Sequence, residues 1–316
     1  MRFPQLTPEN YKGTRCLEIT LSYTCDVDCV FCSHAQIMRA FSSWPLQLRE
    51  VQALLFQKKK EGFCHVTFTG GEPTLYPRFN IILAIAKRLG YKTRVISNGS
   101  GFSQYSQMAS ISPFLDELCF SLHGENAEIH DKITNSPGSF ERITKALRLI
   151  EDNKRIKVSV NMVATALNID FLVATVGLVR RRKRIHEIWL SNLVPIGQGL
   201  LKYDELSVKN TVIMKRVPSI VEAAAPIPIR FYGFPLCVLD ELRNSAVIRQ
   251  HPAVSVFRAR GRDGKPFIRS QDSRFSDPPR VLTQKCEGCL DQKICGGPWE
   301  RYVKKYGDGE LCPRLQ

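Results

Sequence analysis

Apolar residues recur along the first two thirds of the chain in two alternating periods, one typical of strands and one of helices. Short apolar or alternating runs predict six strands, at 14–22, 65–69, 92–96, 115–122, 156–163 and 187–193. Between these runs, apolar positions three and four residues apart predict helices. This alternation predicts an α/β fold with a parallel sheet and right-handed crossovers.

Local signals place some of these helices and describe the chain beyond the sixth strand. Ser43 and Pro45 predict the start of one helix, and Ser139 is the predicted N-cap of another. Farther on, the pattern predicts a short helix at 219–225. We expect the arginine-rich stretch 250–279, which has little periodicity, to be a long loop that acts as a mobile lid.

Three cysteines, Cys25, Cys29 and Cys32, lie in one short loop directly after the first predicted strand. Three thiolates suit a cubane 4Fe-4S cluster, whose fourth iron then remains open for a ligand that is not protein. Phe31, just before the last thiol, is expected to shield one face of the cluster. A zinc knuckle or a disulfide is the alternative, but zinc needs a fourth ligand and His34 is the only near candidate.

The second predicted strand ends in the tetrad Gly70-Gly71-Glu72-Pro73. Two glycines at a strand end allow a ligand to approach the backbone, and backbone carbonyls or the glutamate can then accept hydrogen bonds from an amine. The tetrad therefore predicts a binding place for a ligand ammonium group, one βα unit after the cysteine loop.

The loop and the tetrad together resemble the motifs of the radical S-adenosylmethionine (radical SAM) superfamily. The resemblance implies a partial (β/α)6 TIM barrel, with the SAM amine and carboxylate on the open iron and a 5'-deoxyadenosyl radical as the product of one-electron cleavage. It assigns the SAM amine to the tetrad, and SAM ribose or carboxylate contacts to strand-end residues, namely Ser97, Asn98, Ser121 and Asn161. His123 and His130 are candidate proton carriers without an assigned partner.

Composition limits the class of protein. The chain has 316 residues, 43% apolar content and 24% charged content, which is typical of a globular protein. No apolar run is long enough to span a bilayer and the first residues carry no hydrophobic signal core, so we expect a cytoplasmic protein without a membrane partner. Eleven cysteines then indicate metal ligands kept as thiols. The formal net charge of +15 favours acidic partners, either peptide or nucleic acid.

A second group of cysteines lies near the C-terminus: Cys286, Cys289, Cys295 and Cys312, with Cys237 upstream. The excess of thiols over histidines favours an iron-sulfur site over zinc. The pattern resembles the SPASM and twitch domains of radical SAM enzymes, which bind auxiliary 4Fe-4S clusters. It departs from the full motif, because Trp299 stands where SPASM domains have another cysteine.

We therefore predict one auxiliary 4Fe-4S cluster, held by the thiols of 286, 289 and 295 plus either Cys237 or Cys312. The segment 235–240 together with Cys295-Gly-Gly is similar to the His-Xaa-Ser system radical SAM maturases, and this favours Cys237. The predicted organisation is an N-terminal extension at 1–12, the radical SAM barrel at 13–215 and an auxiliary-cluster domain at 216–316.

The resemblance also implies a substrate class and partners. Radical SAM proteins with such tails are mostly maturases of ribosomally made peptides (RiPPs), so the expected substrate is a precursor peptide with an acidic leader. The expected outcome is crosslinking, epimerisation or backbone excision and splicing, that is, oxidoreductase or lyase chemistry. Further expected partners are a flavodoxin- or ferredoxin-type electron donor and a small separate protein that binds the leader.

Two alternatives remain at this stage. One is a radical SAM enzyme that modifies RNA or a small molecule. An RNA-modifying enzyme would also be basic, and four arginines are candidates for phosphate contacts: Arg258, Arg260, Arg262 and Arg269. There is, however, no aromatic interleaving of the kind found in RNA-binding modules. The other alternative is a metal-stabilised binding protein without catalysis.

Overall fold

Six parallel strands lie side by side in chain order in the computed structural model, which describes residues 15–247, 253–260, 265–272 and 278–315. The predicted strands are all present, and the α/β prediction is confirmed. Their bounds are β1 (Arg15–Thr20), β2 (Phe63–Thr69), β3 (Lys92–Ser97), β4 (Glu117–Ser121), β5 (Lys157–Ala164) and β6 (Ile185–Asn192). The sheet is open, so the barrel is partial.

Four more strands from the second half of the chain extend the same sheet at both edges. β7 (Ile229–Tyr232) and β8 (Ala246–Val247) follow β6 in parallel orientation. At the other edge β9 (Ala253–Arg260) pairs in parallel with β1, and β10 (Pro266–Asp272) pairs antiparallel with β9.

The prediction of a long loop over 250–279 is therefore wrong for its described part. Val254 and Val256 flank Ser255 with the two-residue period of a strand, and Val256 is fully buried. Arg258 does not interrupt the strand, because its guanidinium donates to the Glu50 carboxylate at 2.6 Å. Arg262 and the first twelve residues, the predicted extension, lie outside the described residues.

Helices cover one face of the sheet. The first seven are α1 (Ala35–Phe41), α2 (Leu48–Lys60), α3 (Phe79–Arg88), α4 (Tyr105–Ile111), α5 (Ala127–Thr134), α6 (Ser139–Leu149) and α7 (Leu172–Arg180). They are followed by α8 (Gln198–Leu201), α9 (Tyr203–Leu206), α10 (Asn210–Ala224), α11 (Leu236–Leu239), α12 (Gln292–Cys295) and α13 (Glu300–Tyr306). None of the described helices is long and apolar enough to cross a membrane.

Three helix starts differ from the predictions for local reasons. α2 begins five residues after Ser43, because Gln47 and Glu50 form a capping box. Ser139 is the first residue of α6 rather than its N-cap, which is Gly138 with a φ of 80°. Its hydroxyl instead donates to Asp131 at 2.8 Å. α10 is longer than the predicted 219–225, and the predicted domain boundary at 215 falls inside it.

The core lies between the sheet and this helical layer. Alternate strand residues such as Leu17, Val66 and Val95 are fully buried and pack with helix residues such as Ile82. The opposite face of the sheet is polar, with ion pairs between Lys92 and Glu117 and between Arg230 and Glu187. Arg94 stacks on Trp189 on that face. Because the strands are parallel, their carboxyl ends meet at one edge, where the loops converge.

Candidate functional site

The cysteine loop runs from the end of β1 to the start of α1, and its backbone is held by α5. The Asp28 amide donates to the Thr134 carbonyl at 3.0 Å and the Val30 amide to the Ile133 carbonyl at 2.9 Å. Within the loop, the Cys32 amide donates to the Cys29 carbonyl at 2.9 Å. All three thiols of the loop are free and half-buried.

These thiols have raised pKa values, mainly because burial disfavours the thiolate. The pKa of Cys25 rises to about 12, and that of Cys32 is also raised although the backbone N–H groups of His34 and Ala35 act against the shift. The pKa of Cys29 rises through burial and then through the neighbouring charges of Cys32 and Cys25. Three half-buried thiols whose pKa values are raised fit a shared cationic centre, which would stabilise them as thiolates.

No three His, Cys, Asp or Glu side chains in the described part of the chain converge closely enough to hold a single metal ion.

The tetrad after β2 packs directly on the start of the cysteine loop. The amides of Gly71 and Glu72 donate to the carbonyls of Ser22 and Thr24 at 3.0 and 2.8 Å. A Cβ on Gly71 would lie 2.0 Å from the Thr24 oxygen, and Gly70 has a φ of 126°. In this structure glycine is thus required because the chain's own backbone approaches these positions closely. The sequence interpretation instead explains the glycines by the approach of a ligand.

Glu72 is fully buried, and its carboxylate is occupied by donors from the chain itself. One oxygen accepts hydrogen bonds from the Thr74 amide, the Thr74 hydroxyl and the Ser97 hydroxyl, at 3.1, 2.7 and 2.9 Å. The other accepts from the Asn98 amide at 2.8 Å. Burial raises the pKa of Glu72 while these bonds oppose the shift. Glu72 therefore joins the ends of β2 and β3, and Pro73 opens a buried 3-10 turn beside it.

The predicted strand-end residues fall into two pairs. Ser97 and Asn98 belong to the network around Glu72, and the Asn98 side chain continues to the cysteine loop. Ser121 and Asn161 are register partners on β4 and β5, and the side-chain Oδ1 of Asn161 accepts from the Ser191 hydroxyl at 2.6 Å. Ser121 makes no side-chain hydrogen bond to any residue described. This second pair is the more available to a ligand.

Sequence reasoning missed Ser191 and the segment before α8. Ser191 lies near the end of β6, where the strand-end rule that found Asn161 applies equally. The Gln198 amide donates to the Cys32 carbonyl at 2.9 Å, and a Cβ on Gly197 would meet that same oxygen at 2.5 Å. In the sequence, only Gly197 indicates this contact, because Cys32 and Gln198 lie far apart along the chain.

Phe31 and the two histidines form one aromatic stack. Phe31 meets His123 edge to face, with centroids 4.9 Å apart, and His123 stacks on His130 at 5.8 Å. Burial lowers the pKa of His123 to about 3 and that of His130 to about 4. Both Nδ1 atoms accept backbone N–H groups, from Val163 and from His123 respectively. The rings are therefore neutral at pH 7 and support Phe31, and this argues against the proton-carrier interpretation.

Four of the five C-terminal thiols line one cavity: Cys237, Cys286, Cys289 and Cys295. The rest of its lining is mostly apolar and includes Leu282, Leu311, Pro235 and Pro298, with Asp291 and Gln292 as the polar residues. Burial raises the pKa of Cys237 to about 11, and the charges of the other three thiols add to the shift. The Leu236 amide donates to the Cys295 sulfur at 3.2 Å.

Cys312 does not line this cavity, and it contacts the group of four thiols through its backbone. Its side chain is exposed, and its backbone amide is hydrogen-bonded to the Cys237 sulfur. Trp299, at the position where SPASM domains have a cysteine, is buried under the Arg280 guanidinium, 3.7 Å from its ring centroid. The geometry thus groups Cys237, and not Cys312, with the other three thiols.

Comparison with known protein families identifies the region around the cysteine loop. Residues 19–170 match the model of the Radical SAM superfamily. This span runs from the last residues of β1 through β5 and includes the three-thiol loop and the tetrad. The family implies a 4Fe-4S cluster and SAM as cofactors, and the donor set of the loop fits such a cluster.

Curated relatives match about 60% of the chain. A probable GTP 3',8-cyclase of Saccharolobus islandicus is 28% identical over 190 residues, which is 60% of this chain and 60% of the relative. The mycofactocin maturase MftC of Mycolicibacterium smegmatis is 25% identical over 192 residues, or 60% of this chain and 47% of the relative. The match thus covers about 60% of the cyclase's length and less of the maturase's.

Two solved structures share the fold over nearly the whole chain. Streptococcus suis SuiB bound to S-adenosylmethionine superposes with a TM-score of 0.65 at 17% identity, covering 97% of this chain and 79% of SuiB. The anSMEcpe structure with AdoMet and the Cp18Cys peptide gives 0.65 at 16% identity, covering 94% and 92%. At these identities the likeness concerns the fold alone.

Proposed function

Residues 19–170 are a radical SAM domain, and on this premise we propose that the protein is a radical SAM enzyme that modifies a ribosomally made precursor peptide. The observation that carries the catalytic part is the three-thiol loop held against the tetrad at the carboxyl ends of β1 and β2. The peptide part is supported by the C-terminal thiols and by peptide-binding proteins of the same fold.

The residues proposed to hold the first cluster are Cys25, Cys29 and Cys32. Backbone carbonyls at Gly70–Pro73 would accept the SAM amine, since the Glu72 carboxylate already has its donors. Ser121 and Asn161 are the proposed contacts to the ribose or carboxylate. Once bound, cluster and SAM supply a 5'-deoxyadenosyl radical able to abstract hydrogen from carbon. Phe31, backed by His123, would exclude water from one side of the loop.

We propose that the C-terminal cavity holds one auxiliary 4Fe-4S cluster. Cys237, Cys286, Cys289 and Cys295 supply four thiols, as many as the irons of a cubane. The N–H groups that Leu236 and Cys312 direct at two of these sulfurs would stabilise thiolate ligands. Such a cluster has no open iron, so its roles would be to accept an electron or to hold the fold.

A peptide substrate is supported by the named properties of similar proteins and by charge. SuiB has been solved with its precursor peptide SuiA, anSMEcpe with a peptide, and MftC is a maturase. The net charge of +15 suits an acidic leader. The proposal includes a small leader-binding protein and a flavodoxin- or ferredoxin-type donor as partners.

Anaerobic reconstitution tests the proposal. The protein, loaded with iron and sulfide and reduced with dithionite, is expected to convert SAM into 5'-deoxyadenosine, and Cys29→Ala is expected not to. Adding the peptides encoded by short reading frames beside the gene should increase SAM turnover and change a peptide's mass. No SAM cleavage by a fully loaded protein would refute the enzyme assignment.

A small-molecule substrate is the second candidate, because the GTP cyclase has a higher sequence identity to this chain than the maturase MftC has. Incubation with GTP in the same assay separates the candidates. A new nucleotide product in the presence of GTP, with no mass change in any peptide, would favour the small-molecule function.

A further inference from the structure

The side-chain amide of Asn98 lies between an acid and a thiol of the cysteine loop. Its Nδ2 atom is 2.8 Å from Asp26 Oδ1 and 3.8 Å from Cys25 Sγ. An amide nitrogen carries two hydrogens, so it can donate to both acceptors at once. The sequence interpretation made Asn98 a SAM contact, whereas here its donors face the loop itself.

The orientation of this amide is fixed by the rest of the network. Asn98 Oδ1 accepts the Ser100 amide at 2.9 Å, and the Asn98 backbone amide donates to the buried Glu72 carboxylate at 2.8 Å. Turning the amide over would place its oxygen against the Asp26 carboxylate and its NH₂ group against the Ser100 N–H. The NH₂ group must therefore point at Asp26 and Cys25.

We propose that Asn98 is a positioning residue that raises the reduction potential of the cluster held by the loop, by donating an amide hydrogen bond to the Cys25 sulfur. The inference rests on the proposed function. A hydrogen bond to a ligating sulfur stabilises the reduced, more negative state of a cluster and so makes reduction easier.

The negative charge of Asp26 explains why an amide donor is needed beside Cys25. Its carboxylate lies beside Cys25, and negative charge there disfavours reduction. Asn98 and, at 3.3 Å, the Ser100 hydroxyl donate to this carboxylate, while the Arg142 guanidinium lies 3.9 Å away. Backbone N–H groups face the sulfurs of both Cys25 and Cys32, from Val27 in the first case and from His34 and Ala35 in the second. Among the described residues, Cys25 alone of the three thiols has a side-chain amide donor.

The test is the midpoint potential of the reconstituted full-length protein, measured without SAM by electron paramagnetic resonance. Later addition of SAM identifies the relevant cluster as the one whose spectrum changes. Asn98→Ala is expected to lower its midpoint potential, and Asn98→Asp, which keeps the shape but replaces the NH₂ donor, to lower it further. Asn153→Ala is the matched control, because this side chain accepts the backbone amides of Arg155 and Ile156 before β5 and has no role in the proposed site.

An unchanged potential in both Asn98 variants, with weaker SAM binding, would overturn the proposal in favour of a direct SAM contact. Loss of the cluster in both variants would also overturn it, because Asn98 would then serve assembly rather than tuning. A wild-type protein whose cluster does not respond to SAM would instead refute the proposed function. The two failures are therefore distinguishable.

Discussion

The two thiol groups of this chain differ in how they are brought together and in what surrounds them. The front group lies in one short loop, and polar residues of neighbouring strand ends face it, among them Asn98. The C-terminal group needs the fold to bring Cys237 on α11 to the other three thiols, and its cavity is mostly apolar.

This difference fits a division of roles. Three thiols beside strand-end amides and hydroxyls suit a centre that exchanges a polar ligand, because each polar atom of that ligand then finds a partner. Four thiols in a mostly apolar cavity suit a permanent centre, because no iron remains for exchange. The predictions below test whether the two groups behave independently.

The largest expected effect is the loss of SAM cleavage in Cys29→Ala. Two remaining thiols cannot hold the first cluster, so 5'-deoxyadenosine formation should fall to the level without enzyme. Iron content should fall by about half, from about eight to about four atoms per chain. Cys64→Ala on β2 is the matched control, since this half-buried thiol lies outside both groups. Equal loss of both clusters in Cys29→Ala would contradict their independence.

The next effect concerns the fourth ligand of the C-terminal group. Cys237→Ala should remove the auxiliary cluster and leave the SAM-responsive cluster in place, because Cys237 lines the cavity. Cys312→Ala should retain both clusters, because its thiol is exposed and the variant keeps the backbone amide. Iron and sulfide quantitation measures both outcomes. Cluster loss in Cys312→Ala alone would reverse the assignment, and loss in neither variant would refute ligation by four thiolates.

These two sites also show how far the sequence could carry the interpretation. The front loop and the strand alternation were predictable, because both depend on residues close in sequence. The choice between Cys237 and Cys312 was not, since it depends on how α11 packs against the last residues. The strand β9 was missed for a related reason: Arg258 is typical of loop composition, and only its long-range partner Glu50 makes it compatible with a strand.

A substitution at a tetrad glycine tests whether the first cluster depends on backbone packing when all three thiols are kept. Gly71→Ala would place a Cβ 2.0 Å from the Thr24 oxygen, so the start of the cysteine loop must move. We expect a large loss of the first cluster with all thiols present, while the auxiliary cluster is retained. Iron content and the SAM-induced spectral change are the measurements.

The control for this variant is Gly177→Ala in α7, where a Cβ would meet no atom within 4 Å. Helix propensity predicts that it stabilises the protein by about 0.5–1 kcal/mol, visible as a raised unfolding midpoint. A front cluster that survives Gly71→Ala unchanged would show that the loop tolerates displacement at Thr24.

The smallest expected effect is a pH dependence confined to the front group. His123 and His130 are neutral in the folded protein, with pKa values lowered to about 3 and about 4 by burial; for His130, Asp131 opposes the shift and Arg142 adds to it. Since the unfolded chain takes up these protons below about pH 6.5, their contribution to stability is complete above that pH. As the pH falls from about 6.5 toward the pKa values of the folded protein, this contribution to stability declines by about 1.4 kcal/mol per pH unit for each ring.

Hydrogen exchange, corrected for intrinsic rates, can locate this loss. Protection of the Asp28 and Val30 amides, which bond to α5, should fall on the order of tenfold or more between pH 7 and 5. The Leu236 amide beside the C-terminal thiols should change less, because no histidine lies in the described part of that region. His130→Asn keeps an acceptor for the His123 amide without a titrating ring, so it should flatten the dependence. An equally steep dependence in this variant would assign the acid sensitivity to another group.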